Sequence, residues 1–313
     1  MNILFIGNSR LGDAVISTGL LNHFNNKDNR ITVVCSSISI KVYEAFPSVK
    51  KTIVIKKKKY SRHWLDVLIN LENIVWDVII DLRNTIITRI LRKRKIFRYF
   101  NNNNCLHKVQ ELSQVINSKI ILTPKIYTNY KNRKEAKSFI DPIKNEKILA
   151  IAPITNWQRK NWPSAYFEEL VNKIIFNKKN FKISSVIILG SKSEYNKCQE
   201  LKSKLNFKSY NLAGVFEILT IFEILKACEV FIGNDSGLSH LAAASGIKTL
   251  ALFGPSKENK YKPWGENCSY IRTPQSYEEL VDNPGYNRFD KVSLMRSLSV
   301  ESVYEKFKKI LLK

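Results

Sequence analysis

The chain alternates between short apolar segments and amphipathic segments, and the alternation occurs in two series. The first series starts with the apolar segment 1–7 and a helical pattern over 11–24, and the second starts with the apolar segment 147–153. Apolar strands that alternate with amphipathic helices form parallel sheets covered by helices on both faces. The sequence therefore predicts an α/β fold made of two doubly wound, Rossmann-like domains.

The length of the chain agrees with two domains. Its 313 residues exceed what one hydrophobic core usually supports. The polar segment 122–146 contains Pro124 and Pro142 and is typical of a connection. We expect an N-terminal domain over 1–146 and a C-terminal domain over 147–313, and leave open whether the last helix packs back on the N-terminal domain. Two such domains leave a cleft between the carboxyl ends of their strands, where ligands of both would meet.

The formal net charge of +24 is the strongest compositional feature. A polyanion such as nucleic acid or an anionic membrane would bind such a surface. Lys, Asn and Ile are abundant throughout, however, and a genome rich in A/T codons would produce much of the same charge. Two basic clusters in the first half, 56–63 and 89–98, favour a functional surface. Both explanations stay open.

Other features of the composition exclude several classes of protein. No apolar run is long enough to span a bilayer or to form a signal-peptide core, so we expect a cytoplasmic protein. The cysteines are scattered without a C-x-x-C pair, which argues against disulfides and zinc and predicts reduced, structural thiols. The sequence contains neither an Asp-x-Asp pair nor a cluster with metal-ligand spacing, and we expect no metal.

The segment 233–256 has the pattern of an anion-binding turn. An apolar run ends at Gly233, Asn234 and Asp235, and Ser236 and Gly237 then begin a helix with small residues. At the carboxyl end of a parallel strand, backbone N–H groups and the helix dipole favour a phosphate. The alternative is an ordinary strand-to-helix turn capped by Asp or Ser.

The first turn, 7–18, is the N-terminal counterpart. Its glycines match neither the dinucleotide fingerprint nor the P-loop, which disfavours a dehydrogenase or a kinase. Asp13 stands near a helix start, where a carboxylate can accept a proton from a hydroxyl group. Stabilisation of the helix dipole alone would select the same residue.

The segment 152–163 is a third polar constellation and directly follows the first strand of the second series. Thr155, Arg159 and Lys160 are expected to project from this loop, where cations and a hydroxyl group can hold a diphosphate. A solvated basic loop is the alternative, and it competes more strongly for Arg159 than for Lys160.

These three motifs, GNSRLGDAVIST, APITNWQRKNWP and GNDSGLSHLAAASGIKTLALFGPS, stand in the order found in glycosyltransferase family 9. The chain resembles this family, the heptosyltransferases of lipopolysaccharide core assembly, over nearly its whole length. The resemblance implies a GT-B fold with two domains facing a central cleft. The acceptor would bind mainly to the N-terminal domain and a nucleotide-activated sugar mainly to the C-terminal domain.

The reaction implied by the resemblance is inverting and metal-independent. A heptose or related sugar would move from a nucleotide diphosphate donor, ADP-heptose, to a lipid-linked core oligosaccharide of lipopolysaccharide. Asp13 would be the general base, and Lys160 would stabilise the leaving diphosphate. The sugar nucleotide would be a substrate, together with the acceptor, and no cofactor is expected.

The resemblance also assigns binding residues. The donor set consists of Thr155, Asn156, Glu194, Asp235, Ser236, Gly237 and His240. Asn156 stands where many members of the family carry a second Thr, and the match around Glu194 is loose. The candidate acceptor set consists of Gly12, Lys57, Lys58, Arg62 and Arg83.

The segment 81–99 is expected to form a strand followed by a basic helix. With the cations at 56–62, its cations are expected to bind carboxylated or phosphorylated sugars of the acceptor. They are also expected to hold the protein peripherally on the anionic inner membrane surface.

Three alternatives remain. The chain could use a different sugar nucleotide, because one contact can redirect specificity while all three motifs persist. It could also be an inactive homologue that binds sugar nucleotides. A nucleic-acid-binding protein would explain the charge but not the phosphate turn, Asp13 or Asp235, and no known binding motif occurs. We therefore expect no nucleic acid partner.

Overall fold

The chain is divided into two units, each built on one parallel sheet. A computed structural model describes residues 1–56, 59, 62–101, 105–177, 181–282, 284–287 and 289–311. The units are Met1–Asn129 and Tyr130–Lys313. The sequence predicts a boundary after residue 146, whereas the helix over Tyr130–Ile140 packs on Ile218–Leu225 of the second unit.

The sheet of the first unit has five strands in the order β3-β2-β1-β4-β5, and all neighbours are parallel. The strands are β1 (Asn2–Ile6), β2 (Arg30–Cys35), β3 (Val49–Val54), β4 (Trp76–Asp81) and β5 (Lys93–Arg98). The helices are α1 (Leu11–His23), α2 (Ile40–Glu44), α3 (His63–Ile69), α4 (Ile87–Ile90) and α5 (Lys108–Gln114).

The sheet of the second unit has six parallel strands in the order β11-β10-β9-β6-β7-β8. They are β6 (Ile148–Ala152), β7 (Ser185–Ile188), β8 (Ser209–Asn211), β9 (Val230–Asn234), β10 (Lys248–Phe253) and β11 (Cys268–Arg272). The helices are α6 (Tyr130–Ile140), α7 (Ser164–Phe176), α8 (Tyr195–Lys204), α9 (Ile218–Leu225), α10 (Gly237–Ser245), α11 (Glu258–Tyr261), α12 (Tyr277–Val281) and α13 (Val300–Leu311).

The central strands β1 and β6 are almost entirely buried. In β6 every residue is buried, and in β1 every residue after Asn2 is buried. Such strands need cover on both faces, because a parallel sheet hides its two surfaces under crossover helices. The last helix, α13, contributes Val303 and Phe307 to the core of the second unit.

The strand order reverses once in each sheet. In the first unit the chain moves outward from β1 to β3 and then returns to β4 on the other side of β1. In the second unit it moves outward from β6 to β8 and then returns to β9 on the other side of β6. Ligands of open α/β sheets bind at the carboxyl ends of the two strands that flank such a reversal. The topology therefore marks the ends of β1 and β4, and of β6 and β9.

The segment 81–99 differs from the sequence-based expectation of a strand and a basic helix. The helix is only the four-residue α4, and the basic run forms the edge strand β5. β5 pairs with the buried strand β4 over Trp76–Asp81. Lysine and arginine side chains are tolerated on an edge strand, because one side of that strand faces solvent.

The cysteines fit the expectation of isolated thiols, since all five are free. Cys35, Cys198 and Cys228 are buried, whereas Cys105 is exposed. Burial raises the pKa of Cys35 to about 11 and the pKa of Cys198 to about 12. These two thiols are therefore protonated at neutral pH.

Helices of the described part of the chain are too short or too polar to cross a bilayer.

Gly19 fixes the position of α1. A Cβ atom at this residue would lie 2.0 Å from the carbonyl oxygen of Leu122 and 2.5 Å from that of Thr123. The adjacent Thr18 Oγ1 accepts a hydrogen bond of 3.0 Å from the backbone N–H of Lys125. The helix thus lies directly against the backbone of the segment 122–125.

We expect Gly19→Ala to destabilise the protein by about 1–3 kcal/mol through overpacking. The gain in helix propensity of about 1 kcal/mol would not offset this loss. Urea unfolding measures the difference.

Gly246→Asn is the control, because Gly246 has φ 86° and no atom within 4 Å of its Cβ position. Asparagine is tolerated in this backbone conformation. A Gly19→Ala variant as stable as the parent protein would contradict the contact.

Candidate functional site

The candidate site of the second unit lies at the strand reversal between β6 and β9. Ala152 of β6 is opposite Gly233 of β9 in the sheet. The loop 153–163 follows β6, and the turn 235–236 follows β9 before α10 begins. Two of the three sequence motifs therefore meet at the edge of the sheet where α/β proteins bind ligands.

Lys160 and Asp235 form an ion pair at this edge. The Lys160 ammonium group donates a hydrogen bond to Asp235 Oδ2, and it also lies 5.8 Å from the centre of the Trp157 ring. The side chains of Lys160 and Asp235 are 23% and 8% exposed. A half-buried cation at a strand end can bind phosphate oxygens more strongly than a cation in bulk water can.

Asn234 holds the loop 153–163 in place. It is fully buried, and its amide nitrogen donates a hydrogen bond of 2.7 Å to the carbonyl oxygen of Pro153. Its amide oxygen accepts one of 3.0 Å from the backbone N–H of Trp162. One side chain at the end of β9 thus anchors both ends of the loop that carries Lys160.

Thr155 and Asn161 fasten the loop internally. The backbone N–H and the hydroxyl group of Thr155 donate to Asn161 Oδ1 at 2.8 and 2.9 Å. Thr155 is buried, whereas Asn156 is exposed. Of these two predicted donor residues, Thr155 shapes the loop and Asn156 presents its amide to solvent.

The turn after β9 ends in the N-terminus of α10. Ser236 is the N-cap, and its buried hydroxyl oxygen has no hydrogen-bond partner among the described residues. Ser239 Oγ donates 2.7 Å to the carbonyl oxygen of Asn234, and His240 is buried in the first turn of α10. An unpaired buried hydroxyl group at a helix N-terminus is suited to an anion, because the helix N–H groups attract negative charge.

Ser256 is a further polar residue that the sequence analysis did not single out. It follows β10, the neighbour of β9, and its buried hydroxyl oxygen has no partner within the described ranges. Its position in the third motif is the only sequence signal for it. A pair of unsatisfied seryl hydroxyl groups thus follows two adjacent strands.

Glu194 lies after β7. In the sheet, β6 separates β7 from β9, the strand that precedes Asp235. The Glu194 carboxylate accepts a hydrogen bond of 2.6 Å from the backbone N–H of Ser191 and closes a capping box. A Cβ atom at Gly190 would lie 3.2 Å from Glu194 Oε2. The side chain is half-buried, and this bond fixes it at the carboxyl end of β7.

Arg159 differs from the expectation that it holds a diphosphate. It is 5% exposed, and its guanidinium group stacks over the Tyr286 ring at 4.7 Å and donates to the carbonyl oxygen of Asn287. Its own carbonyl oxygen accepts 3.0 Å from the backbone N–H of Leu294. Arg159 therefore ties the loop to the segment 286–294, and its buried Nε has no hydrogen-bond partner among the described residues.

Asp13 lies in the first turn of α1, after β1, and is half-buried. Near it, the Tyr43 hydroxyl group accepts a hydrogen bond of 3.2 Å from the backbone N–H of Asn8 and shares one of 2.8 Å with Ser17. Burial raises the pKa of Tyr43, so the phenol stays protonated. A Cβ atom at Gly7 would lie 2.8 Å from the Tyr43 ring, which explains the glycine at this strand end.

Asp81 organises the end of β4, on the other side of the strand reversal. It is fully buried and accepts hydrogen bonds from the backbone N–H groups of Arg83 and Thr85 at 2.9 and 2.6 Å. It also accepts from the hydroxyl groups of Thr85 and Thr88, both at 2.9 Å. This carboxylate holds the turn that carries Arg83.

The predicted acceptor residues fall into three groups. Gly12 and Arg83 follow the neighbouring strands β1 and β4, and the Arg83 guanidinium group lies 5.2 Å from the centre of the Trp64 ring. Burial lowers the pKa of Arg83. Arg62 is exposed immediately before α3. Lys57 and Lys58 lie outside the described residues.

A cavity of about 750 Å³ lies beside the loop 153–163. Ile154, Trp162, Lys197 and Arg296 are among its lining residues, and none of the predicted donor residues lines it. The candidate site is therefore defined by the ion pair and the turn after β9.

Among the described residues, no group of three or more His, Cys, Asp or Glu side chains could hold a metal ion.

Asn234→Asp tests the anchor of the loop. The carboxylate would face the carbonyl oxygen of Pro153 without a proton to donate, and we expect a loss of about 1–3 kcal/mol in unfolding free energy. Urea unfolding of the variant and the parent protein measures the difference.

Asn267→Asp is the matched control. The exposed Asn267 amide donates 2.8 Å to the carbonyl oxygen of Gly246, and water can replace this bond. Equal losses in the two variants would argue against a special role for Asn234.

The relatives of this chain are heptosyltransferases. Lipooligosaccharide heptosyltransferase 2 of Campylobacter jejuni subsp. jejuni serotype O:2 is 28% identical over 323 residues, covering 96% of this chain and 95% of the relative. A glycosyl transferase family 9 structure from Veillonella parvula DSM 2008 has a TM-score of 0.82 at 18% identity, covering 99% and 97% of the two chains.

Two further structures are similar in fold. The E. coli ADP-heptose lps heptosyltransferase II has a TM-score of 0.73 at 18% identity, covering 100% of this chain and 99% of the other. The iron-containing dodecameric glycosyltransferase TibC of E. coli has a TM-score of 0.57 at 13% identity, covering 100% and 78%. The predicted fold class, two parallel-sheet α/β units of the GT-B type, is confirmed.

The match to a family profile shows which family the chain belongs to. The profile of glycosyltransferase family 9 (heptosyltransferase) matches residues 107–284, which is more than half of the chain. The chain therefore belongs to glycosyltransferase family 9, a family of enzymes that transfer sugars.

Proposed function

We propose that this enzyme transfers a heptose from ADP-heptose to a lipid-linked core oligosaccharide of lipopolysaccharide or lipooligosaccharide at the cytoplasmic face of the inner membrane. The name of the C. jejuni relative supports the acceptor class, and the name of the E. coli enzyme of similar fold supports the donor. The observation that carries the proposal is the ion pair of Lys160 and Asp235 at the strand reversal of the second unit.

In the proposed donor site, the diphosphate of ADP takes over Lys160 from Asp235. The Asp235 carboxylate then accepts a hydrogen bond from a hydroxyl group of the donor sugar. The phosphates also receive bonds from the N–H groups at the start of α10 and from the Ser236 hydroxyl group, which lacks a protein partner among the described residues. These groups are fixed before the donor binds, so they lose little entropy on binding.

The proposed reaction is a single displacement. The acceptor hydroxyl oxygen forms a bond to the anomeric carbon of the heptose, and the bond from that carbon to the diphosphate oxygen breaks. The hydroxyl proton passes to the Asp13 carboxylate, and ADP leaves with the electron pair of the broken bond. One displacement inverts the anomeric configuration, and Lys160 stabilises the charge that develops on the leaving group.

The proposed mechanism uses no metal ion. A cation such as Mg²⁺ often neutralises a leaving diphosphate. Here the charge of Lys160 and the dipole of α10 would supply that stabilisation. The iron of TibC is a property of that protein. For this chain, activity in the presence of a chelator tests whether a metal ion is needed.

The roles of Asp13 and Lys160 predict different kinetic defects. Asp13→Asn should lower kcat by about 100-fold or more and leave ADP affinity nearly unchanged, because it removes only the proton acceptor. Lys160→Met should lower kcat and also weaken ADP binding, because it removes a phosphate contact. Steady-state kinetics and calorimetry with ADP measure both effects.

Asp28→Asn and Lys197→Met are matched controls at exposed positions of the first and second unit. Both should behave like the parent enzyme. Near-normal turnover of Asp13→Asn would remove Asp13 from the role of general base.

The identity of the donor is tested by offering ADP-, UDP-, GDP- and dTDP-linked sugars with a core acceptor in excess EDTA. We expect transfer from ADP-heptose alone, at the rate measured without chelator. Transfer from another nucleotide sugar would keep the reaction class and change the substrate. Loss of activity in EDTA with recovery on adding a metal would contradict the metal-independent mechanism, and ADP binding without any transfer would indicate an inactive homologue.

A further inference from the structure

Two short helices of the first unit expose aliphatic side chains in matching positions. On α3, Leu65 and Ile69 are 60% and 65% exposed, and around α4, Ile86 and Ile90 are 69% and 65% exposed. In each pair the residues are four positions apart, so they lie on the same side of their helix. Single exposed aliphatic residues are ordinary, but two such pairs on helices of one unit need an explanation.

The two helices cover the same face of the sheet. Val67 on α3 and Ile87 on α4 belong to one core cluster with Leu4 and Ile6 of β1. The inner sides of both helices are therefore buried, and the exposed pairs point away from that core. The contact between Arg83 and the Trp64 ring also joins the start of α3 to the turn before α4.

The first residue of each pair lies near the carboxyl edge of the sheet. α3 begins soon after β3 ends, and α4 begins six residues after Asp81, the last residue of β4. Leu65 and Ile86 stand at the starts of these helices, on the same edge as the predicted acceptor residues Gly12 and Arg83. We call the four aliphatic residues Leu65, Ile69, Ile86 and Ile90 the aliphatic patch.

Basic side chains accompany the aliphatic patch in the chain. The exposed cations of the flanking segments are Lys56, Lys59, Arg62, Arg89 and Arg92, and the exposed carboxylates are Asp66 and Glu72. Arg92 Nη2 donates 3.4 Å to the carbonyl oxygen of Glu72, which brings the segments after α3 and α4 together. The surroundings of the patch are therefore positively charged.

We propose that the aliphatic patch and its cations dock the first unit on an anionic lipid bilayer. Aliphatic side chains enter the boundary between headgroups and acyl chains, and arginine and lysine bind the lipid phosphates. A second copy of the chain fits this surface less well, because a symmetric contact would place like charges opposite one another. The inference extends the proposed function, since a lipid-linked acceptor is presented at such a surface.

Vesicle sedimentation tests the proposal without acceptor or donor, so its outcome is independent of sugar transfer. The full chain should sediment with phosphatidylcholine vesicles that contain phosphatidylglycerol and much less with phosphatidylcholine alone. Replacement of all four patch residues by Ser should weaken binding to the anionic vesicles by about ten-fold or more. Arg89→Gln with Arg92→Gln should weaken it at low salt and have less effect at high salt.

Ile38→Ser with Ile120→Ser is the matched control. These residues are 65% and 69% exposed in the same unit. Ile38 precedes α2, whose Tyr43 packs on Phe5 of the opposite sheet face at 5.6 Å between ring centres. The control should bind vesicles like the parent protein. Equal binding by the parent protein and the four-residue Ser variant would overturn the proposal.

Two further measurements cover other outcomes. A polarity-sensitive dye on Ile90→Cys, in a chain with Cys105→Ser, should shift to the blue when anionic vesicles are added, and the same dye on Ile120→Cys should not. Absence of the shift at position 90 would refute docking even if the four-residue variant failed to fold. The second measurement is the oligomeric state of the parent protein and of the four-residue variant. If the parent protein is a dimer, the variant is a monomer and both bind vesicles equally, the patch is a subunit interface and the proposal is wrong.

Discussion

The reversal of strand order in each parallel sheet is the constraint on which the rest of the structure depends. It leaves the ends of two adjacent central strands without a crossover helix between them. The loops that follow both strands therefore lie side by side at the carboxyl edge of the sheet. In the second unit these are the loop after β6 and the turn after β9. Asn234 is the last residue of β9 and bonds both ends of the loop. The topology thus creates the site, and one buried amide sets its shape.

The ion pair of Lys160 and Asp235 adds an electrostatic constraint. Removing one partner of a buried ion pair costs about 3–5 kcal/mol, and less where water reaches the pair, as it does at Lys160. Each charge is therefore more stable with a partner than without one. A diphosphate and a sugar hydroxyl group can replace both partners together, whereas a neutral ligand cannot. In the proposed donor site, the pair would therefore favour anionic ligands with a polar group beside the phosphate.

Much of the fold and of the candidate site at the ends of β6 and β9 could be predicted from sequence because those signals are local. The central strands β1, β6 and β9 are uninterrupted apolar runs, and the residues of the turn after β9 are contiguous. The orientation of Arg159 could not be predicted, since its partners stand at 286–294, far along the chain. The strand β5 could not be predicted, because it is defined by its pairing with β4. A run of cations is equally typical of an exposed helix. The boundary between the units depended in the same way on the packing of α6 against α9.

The close contact at Gly19 links the position of α1, and therefore of Asp13, to the segment 122–125. Asp13 stands six residues before Gly19 on this helix, which corresponds to about 9 Å along the axis. Because the helix rests on the backbone of Leu122 at that point, a shift of the segment 122–125 would move α1 and with it the Asp13 carboxylate. Asp13 is the proposed general base, and a displacement of about 1 Å at a reacting group can cost a large factor in rate. Loss of turnover can therefore arise from substitutions in a connecting segment that touches no substrate.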